Sequence, residues 1–156
     1  MIRAYFNPMA RTVNALLRTV IYTRISHDPD GKAEGVARQE AACRKLAAEL
    51  GWVVIGVETD DDRTAIGKRG QRARRPGYAA ALDMLAAGAA DAVLVWHTDR
   101  LYRQARDLEP LIDIVDRTHA VIRPVVQGEL DLSSASGRMV ARILASVSTH
   151  EVEHAV

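Results

Sequence analysis

The sequence predicts an α/β fold: a mostly parallel central sheet flanked by helices, followed by a long C-terminal helix. Three observations carry that expectation. Short β-branched runs alternate with segments of helical period, the order of right-handed βαβ units. The run Asp91 to Trp96 is apolar throughout, as in a strand buried on both faces. Glycines stand at Gly51 and Gly88, where two of the helical segments lose their period. With 156 residues, 48% hydrophobic and 26% charged, the chain is long enough for one domain with its own core.

Each element has its own signal. Thr19-Val20-Ile21-Tyr22 reads as the first strand, and Ser26 to Lys32 as a polar loop broken by Pro29 and Gly31. A helix follows from Glu34 to Leu50, with Val36, Cys43, Leu46, Ala47 and Leu50 on one side. Trp52 to Val57 is the second strand. Glu58 to Arg75 has no period and reads as a long loop, a kind that is usually functional or disordered. Pro76 opens the next helix, where its missing N–H costs nothing, and Gly88 ends it. After the third strand, a helix from Ala105 to Arg117 turns Leu108, Leu111, Ile112 and Val115 inward. Val121 to Val126 is the fourth strand and Gln127 to Ala135 a polar loop. The last helix starts near Ser136 and is still periodic at Val156. Its stripe of Met139, Ile143, Leu144 and Val147 suits core packing in the first turns and a dimer seam beyond them.

Composition excludes several classes. No apolar run is long enough to span a membrane. Cys43 is the single cysteine, so no intrachain disulfide forms, in agreement with a reducing cytoplasm. On an inward helix position it reads as a small core hydrophobe. The net charge of +1 says little, but Arg63, Lys68, Arg69, Arg72, Arg74 and Arg75 form a basic segment without an acid. Such a block meets phosphate or is a solvated face. No cysteine and histidine set has metal-ligand spacing, and no glycine-rich phosphate loop is present.

The chemistry gathers at strand ends. Tyr22-Thr23-Arg24-Ile25-Ser26 delivers an arginine and a serine at the carboxyl end of the first strand, where open α/β sheets hold ligands. A serine there can be a nucleophile, and an arginine suits a phosphate. Asp99-Arg100-Leu101-Tyr102-Arg103 leaves the third strand in the same manner. A histidine base for Ser26 is not evident, since adjacent residues on a strand face opposite ways and His27 follows it directly. His97 is the better placed histidine, although an incidental polar residue explains it as well. Several arginines around one serine suit attack on a phosphodiester, because guanidinium groups hold the charge that builds on the non-bridging oxygens. Asp99 could orient an arginine or handle a proton. Gln39 could reach back from the first helix as a neutral donor.

The ordered set Tyr22-Thr23-Arg24-Ile25-Ser26, Arg38-Gln39, Arg75-Pro76-Gly77-Tyr78, Asp99-Arg100-Leu101-Tyr102-Arg103 and Gly137-Arg138 with Glu151 resembles the serine recombinases, the resolvase and invertase family. The resemblance runs from Thr19 to the end. The form Trp96-His97-Thr98-Asp99-Arg100-Leu101-Tyr102-Arg103 looks most like that of the large integrases. The resemblance implies that Ser26 attacks a DNA phosphate and forms a 5′-phosphoseryl link. Arg24, Arg100 and Arg103 would bind that phosphate, Arg75 and Gln39 would support them, and Asp99 would position arginines or assist proton transfer. Tyr22, Thr64 and Arg138 would support the site or meet DNA. No cofactor is implied. The implied partners are double-stranded DNA and further copies of the chain, as a homodimer and a synaptic homotetramer. The implied setting is the cytoplasm of a bacterium or of a phage host.

The implied layout is an extension over residues 1–18, an α/β catalytic domain over 19–135 and the start of an oligomerisation helix over 136–156. The family's DNA-binding region is expected beyond it. One departure concerns the serine-glycine pair usual after the second strand. Here the loop reads Asp61-Asp62-Arg63-Thr64-Ala65-Ile66-Gly67, and Thr64 keeps a hydroxyl. That departure is the best support for a catalytically silent, recombinase-like oligomerisation or regulatory module. An unrelated α/β enzyme acting on a small phosphorylated substrate is the third reading.

Overall fold

The computed structural model describes residues 16–25, 34–61, 75–102, 105–126 and 130–154. Ser26, Thr64 and Arg103 lie outside the described residues, as does nearly all of the segment expected as an extension. Among the described residues, four parallel strands form one sheet in the order β2-β1-β3-β4. They are β1 (Arg18–Ile25), β2 (Val53–Asp61), β3 (Ala92–Val95) and β4 (Val121–Pro124). The helices are α1 (Glu34–Leu50), α2 (Pro76–Ala86), α3 (Ala105–Thr118) and α4 (Ala135–His154). A 3-10 turn, Thr98–Arg100, follows β3. An isolated antiparallel bridge joins Ile122 to Leu130 beyond β4. The expected parallel α/β architecture is thus the observed one.

The sheet separates two apolar layers by the alternation of its strands. Val20 and Tyr22 of β1 and Val93 and Val95 of β3 face α2, α3 and α4, where Leu85, Leu108, Leu111, Ile112 and Ala141 meet them. Ile21 and Leu94 face the other way, onto Cys43 and Ala47 of α1. Burial pushes the Cys43 thiol up to about 12, as suits an inert core residue. β1 is the hub, paired on both sides and buried from Thr19 to Arg24. At its start Arg18 closes a bidentate pair with Asp91, at 3.0 and 2.9 Å, fixing the amino edge of β1 against the approach to β3.

Three expectations need correction. β2 continues to Asp61 instead of ending at Val57. The residues Glu58 to Asp61 are polar, but they pair in register with Tyr22 to Ile25, so pairing and not hydrophobicity makes them strand. Leu50 is not inward; it is the last residue of α1 and is exposed where the helix runs past the sheet. Met139 does not pack on the core. α4 buries its small residues, Ala141 and Ala145, while Met139, Val140, Ile143, Leu144 and Val147 are each half or more exposed. Gly51 and Gly88 do end their helices, with φ of 70° and 71°.

The start of α4 is fixed by polar contacts. Ser134 is its N-cap, accepting the Gly137 N–H on Oγ at 3.0 Å. Asp131 organises the loop before it, accepting the Ser133 N–H at 2.9 Å and the hydroxyls of Ser133 and Ser134. Those bonds hold its carboxyl below the usual value of 3.8. The loop crosses the helix so closely that a Cβ at position 137 would collide with the Asp131 carbonyl oxygen.

Gly137→Ala should therefore cost roughly 2–4 kcal/mol in urea unfolding, because the obstacle is backbone. Gly35→Ala, with open space around its Cβ on α1, should instead stabilise by about 0.4–1 kcal/mol. Asp131 has a depressed folded pKa, so it contributes stability above its unfolded pKa and loses that contribution as the pH falls through the folded value. The midpoint difference between wild type and Asp131→Asn should be largest near neutrality and shrink below pH 3.8. A difference that is flat with pH would exclude the carboxylate from this role.

Candidate active site at the carboxyl edge of the sheet

All four strands are parallel, so the segments leaving β1, β2 and β3 share one edge. Arg24 stands there opposite Asp60 in the β1–β2 register, and the 3-10 turn packs against β1. Asp60 is almost wholly buried. Its Oδ1 accepts the Gly77 N–H at 2.8 Å, and its Oδ2 accepts the Tyr78 N–H and the Tyr22 hydroxyl, both at 2.9 Å. Those two amides belong to the first turn of α2, where no helical carbonyl can serve them. Arg75, at the N-cap, offers them no side-chain cap, and Asp60 supplies it from β2. Negative charge is also favoured at that end of the helix dipole. The approach is close: a Cβ on Gly77 would lie 2.9 Å from the Thr59 carbonyl oxygen.

The Tyr22 hydroxyl passes this anchor on to Arg75. It donates to Asp60 and accepts from Arg75 Nη2 at 2.9 Å and Nε at 3.3 Å. Burial pushes the Tyr22 phenol up to about 12, against the pull of Arg75, so it stays protonated. Arg75 Nη1 then donates to the Leu101 carbonyl at 2.8 Å, and Nη2 to the Arg100 carbonyl. The Arg75 guanidinium carbon lies 4.1 Å from the Tyr78 ring centroid and 5.4 Å from that of Tyr22. Arg75 is thus a clamp on the main chain that carries Arg100.

Gln39 acts on the backbone of β1. Arg24 lies past Tyr22↔Val95, the last pairing of β1 with β3. Gln39 Oε1 accepts the Arg24 N–H at 3.3 Å, and Nε2 donates to the Arg24 carbonyl at 3.2 Å. The side-chain amide takes the place of a neighbouring strand and fixes the chain two residues before Ser26. Gln39 does reach back, but to main chain. Arg24 itself is buried, and its position in the strand puts it on the face of Val20 and Tyr22.

The start of the 3-10 turn is held by His97, whose Nδ1 accepts the Asp99 N–H at 3.2 Å. This capping contact gives His97 a structural role. Asp99 Oδ1 lies 3.5 Å from Arg100 Nε, an ion pair between neighbours in the turn. Arg138 sits apart from this cluster. It donates to the Leu132 carbonyl at 2.8 Å and the Ser133 carbonyl at 2.9 Å, and it pairs with Asp116 of α3. Its contacts bind α4 to the preceding loop and to α3. Among the described residues, no group of three or more His, Cys, Asp and Glu is placed to hold a metal ion.

Sequence reasoning missed Asp60. A signal was available: Arg75-Pro76-Gly77 starts a helix with no Ser, Thr, Asp or Asn at its N-cap, so the cap had to come from another segment. Asp60→Ala removes that cap and leaves the buried Tyr22 O–H without its acceptor. It should cost about 2–4 kcal/mol in denaturant unfolding, and a loss below about 1 kcal/mol would show the carboxylate to be dispensable.

Comparison with known proteins agrees with this geometry. The family model "Resolvase, N terminal domain" matches residues 19–156. Over 77 residues, 49% of the chain, the sequence is 31% identical to the Tn2501 transposon resolvase of Escherichia coli, and the match spans 39% of that protein. The N-terminal catalytic domain of TP901-1 integrase superposes with a TM-score of 0.62 at 26% identity, covering 89% of this chain and 99% of that one. A resolvase family site-specific recombinase from Streptococcus pneumoniae gives a TM-score of 0.66 over 88% of this chain and 91% of that one, and at 18% identity it shows the fold alone. A parallel sheet with its arginines at one edge, matched along residues 19–156 by one family model, places the chain among the serine recombinases of the resolvase family.

Proposed function

We propose that this chain cleaves and rejoins double-stranded DNA in site-specific recombination, with Ser26 as nucleophile. The Ser26 oxygen forms a bond to a backbone phosphorus, and the bond from that phosphorus to the 3′ oxygen breaks. The serine proton leaves by way of Asp99 or water and ends on the released 3′-hydroxyl. The product is a 5′-phosphoseryl ester, and the reverse step with a new 3′-hydroxyl reseals the strand. Arg24, Arg100 and Arg103 bind the phosphate and take up the charge on its non-bridging oxygens.

The observation that carries this reading is that the main chain is held at two of the arginines proposed to bind the phosphate. Gln39 fixes the Arg24 main chain, and Arg75 holds the Arg100 and Leu101 carbonyls. Preorganised donors of this kind stabilise a transition state without reorganising at the moment of reaction. The exposed apolar face of α4 supports assembly with further copies of the chain, as a dimer and then a synaptic tetramer. No described helix is long and apolar enough to cross a membrane.

The test uses the full-length protein and a pool of supercoiled plasmids with random inserts. Covalent protein–DNA adducts are recovered after denaturation, and the DNA in them is sequenced. The adduct peptide should map to Ser26, and the freed strand end should be extendable by a polymerase, as a 3′-hydroxyl is. Ser26→Ala should abolish adducts, and Arg100→Ala should slow their formation by about 10²–10³-fold. Undiminished adducts with Ser26→Ala would refute the assignment. Tight binding of a nucleotide or sugar phosphate, with no effect of DNA, would favour a small-molecule enzyme instead.

A further inference from the structure

We propose that Tyr78 is a positioning residue for the reaction: its ring face holds the Arg75 guanidinium flat, and Arg75 in turn fixes the backbone that carries Arg100. The proposal rests on the function proposed above and adds a residue with no place in the phosphate chemistry itself.

The geometry sets the requirement. One planar guanidinium must reach the Tyr22 hydroxyl, the Leu101 carbonyl and the Arg100 carbonyl at once. Rotation of that plane about the end of the side chain would break the carbonyl contacts together. The Tyr78 ring, 4.1 Å from the guanidinium carbon, is the nearer of two aromatic surfaces that oppose such rotation. The two rings stand 5.6 Å apart at 58°, so each meets the cation from a different direction. A guanidinium over an aromatic face is attracted by the ring quadrupole, most strongly where water is excluded.

Tyr78 is itself well anchored. Its own N–H is held by Asp60 at 2.9 Å, one residue beyond the Gly77 N–H that the same carboxylate holds. The ring therefore stands at a fixed point of the first turn of α2. Its hydroxyl oxygen is buried and has no hydrogen-bond partner among the described residues. The face of the ring, and not its hydroxyl, makes the contact with Arg75. A tyrosine that only filled the core would be replaceable by any apolar residue of similar size. A tyrosine that acts by its ring face is replaceable only by another aromatic ring.

Two readouts separate these cases. The first is the Nε–H resonance of Arg75 in nitrogen-15-labelled full-length protein, which a stacked ring displaces from the position of exposed arginines. Tyr78→Phe should keep that displacement and Tyr78→Leu should lose it. The second is the rate of covalent adduct formation on a plasmid recovered with the wild type. Tyr78→Leu should lower it by roughly 10–100-fold, the scale expected for small misplacement of a reacting geometry. Plasmid binding should be unchanged, and Tyr78→Phe should restore the rate. A folded Tyr78→Leu that reacts like the wild type, or a Tyr78→Phe as slow as Tyr78→Leu, would overturn the proposal. If Tyr78→Leu does not fold, Tyr78→Phe decides: a changed Arg75 resonance in that variant overturns the proposal, and an unchanged one supports it. Should the wild type form no adduct on any plasmid, the proposed function fails, while the Arg75 resonance still reports whether the ring holds the guanidinium.

Discussion

The Asp60 carboxylate sits where β1, β2 and α2 meet, and each of its bonds ties a different part of the edge together. It receives the first-turn amides of α2, so the helix starts at a set point above the sheet. It receives the Tyr22 hydroxyl, so β1 and β2 are joined by a side-chain contact as well as by their ladder. Through Tyr22 and Arg75 the same anchor extends to the 3-10 turn after β3. A buried carboxylate is costly unless its lone pairs are satisfied, and here three donors converge on it. Its placement and the helix start depend on one another.

The arginines of this edge do two different jobs. Arg75 here, and Arg138 away from this edge at the start of α4, donate to main-chain carbonyls, which makes them braces for loops. Arg24 and Arg100 are the ones whose main chain is held by other residues, by Gln39 and by Arg75. In the proposed reaction the side chains of Arg24 and Arg100 are the ones that bind the phosphate. A planar guanidinium with several donors suits either job, and lysine would suit the first poorly.

The alternation of strands and helices was legible in the sequence because each strand contains a short apolar run and the helical segments between them have apolar residues at helical spacing. Gly51, Gly88 and Pro76 punctuated it as backbone rules require. The strand-end position of Arg24 and of the segment after β3 was legible for the same reason. What was not legible came from tertiary pairing. Polar Glu58 to Asp61 became strand because β1 lay alongside, and Asp60 became a cap because α2 had none of its own. The stripe on α4 was visible, but its facing was not, since Ala141 and Ala145 compete with larger residues for the core by shape and not by hydropathy.

The order β2-β1-β3-β4 also has a consequence for how the chain comes to be folded. Every ladder is parallel, so each pairing closes over a crossover, and β1 needs partners on both sides. The contacts of Arg18 with Asp91 span 73 residues of sequence. Synthesis at roughly 5–20 residues per second leaves β1 half-paired for on the order of ten seconds after it emerges. Over that interval α1 and β2 can cover one edge of β1, while the apolar row Val20, Tyr22 waits for β3 and α2. High contact order of this kind slows folding and exposes sticky surface meanwhile. On the ribosome the central strand is therefore the piece most in need of protection, although in the finished molecule it is buried from Thr19 to Arg24.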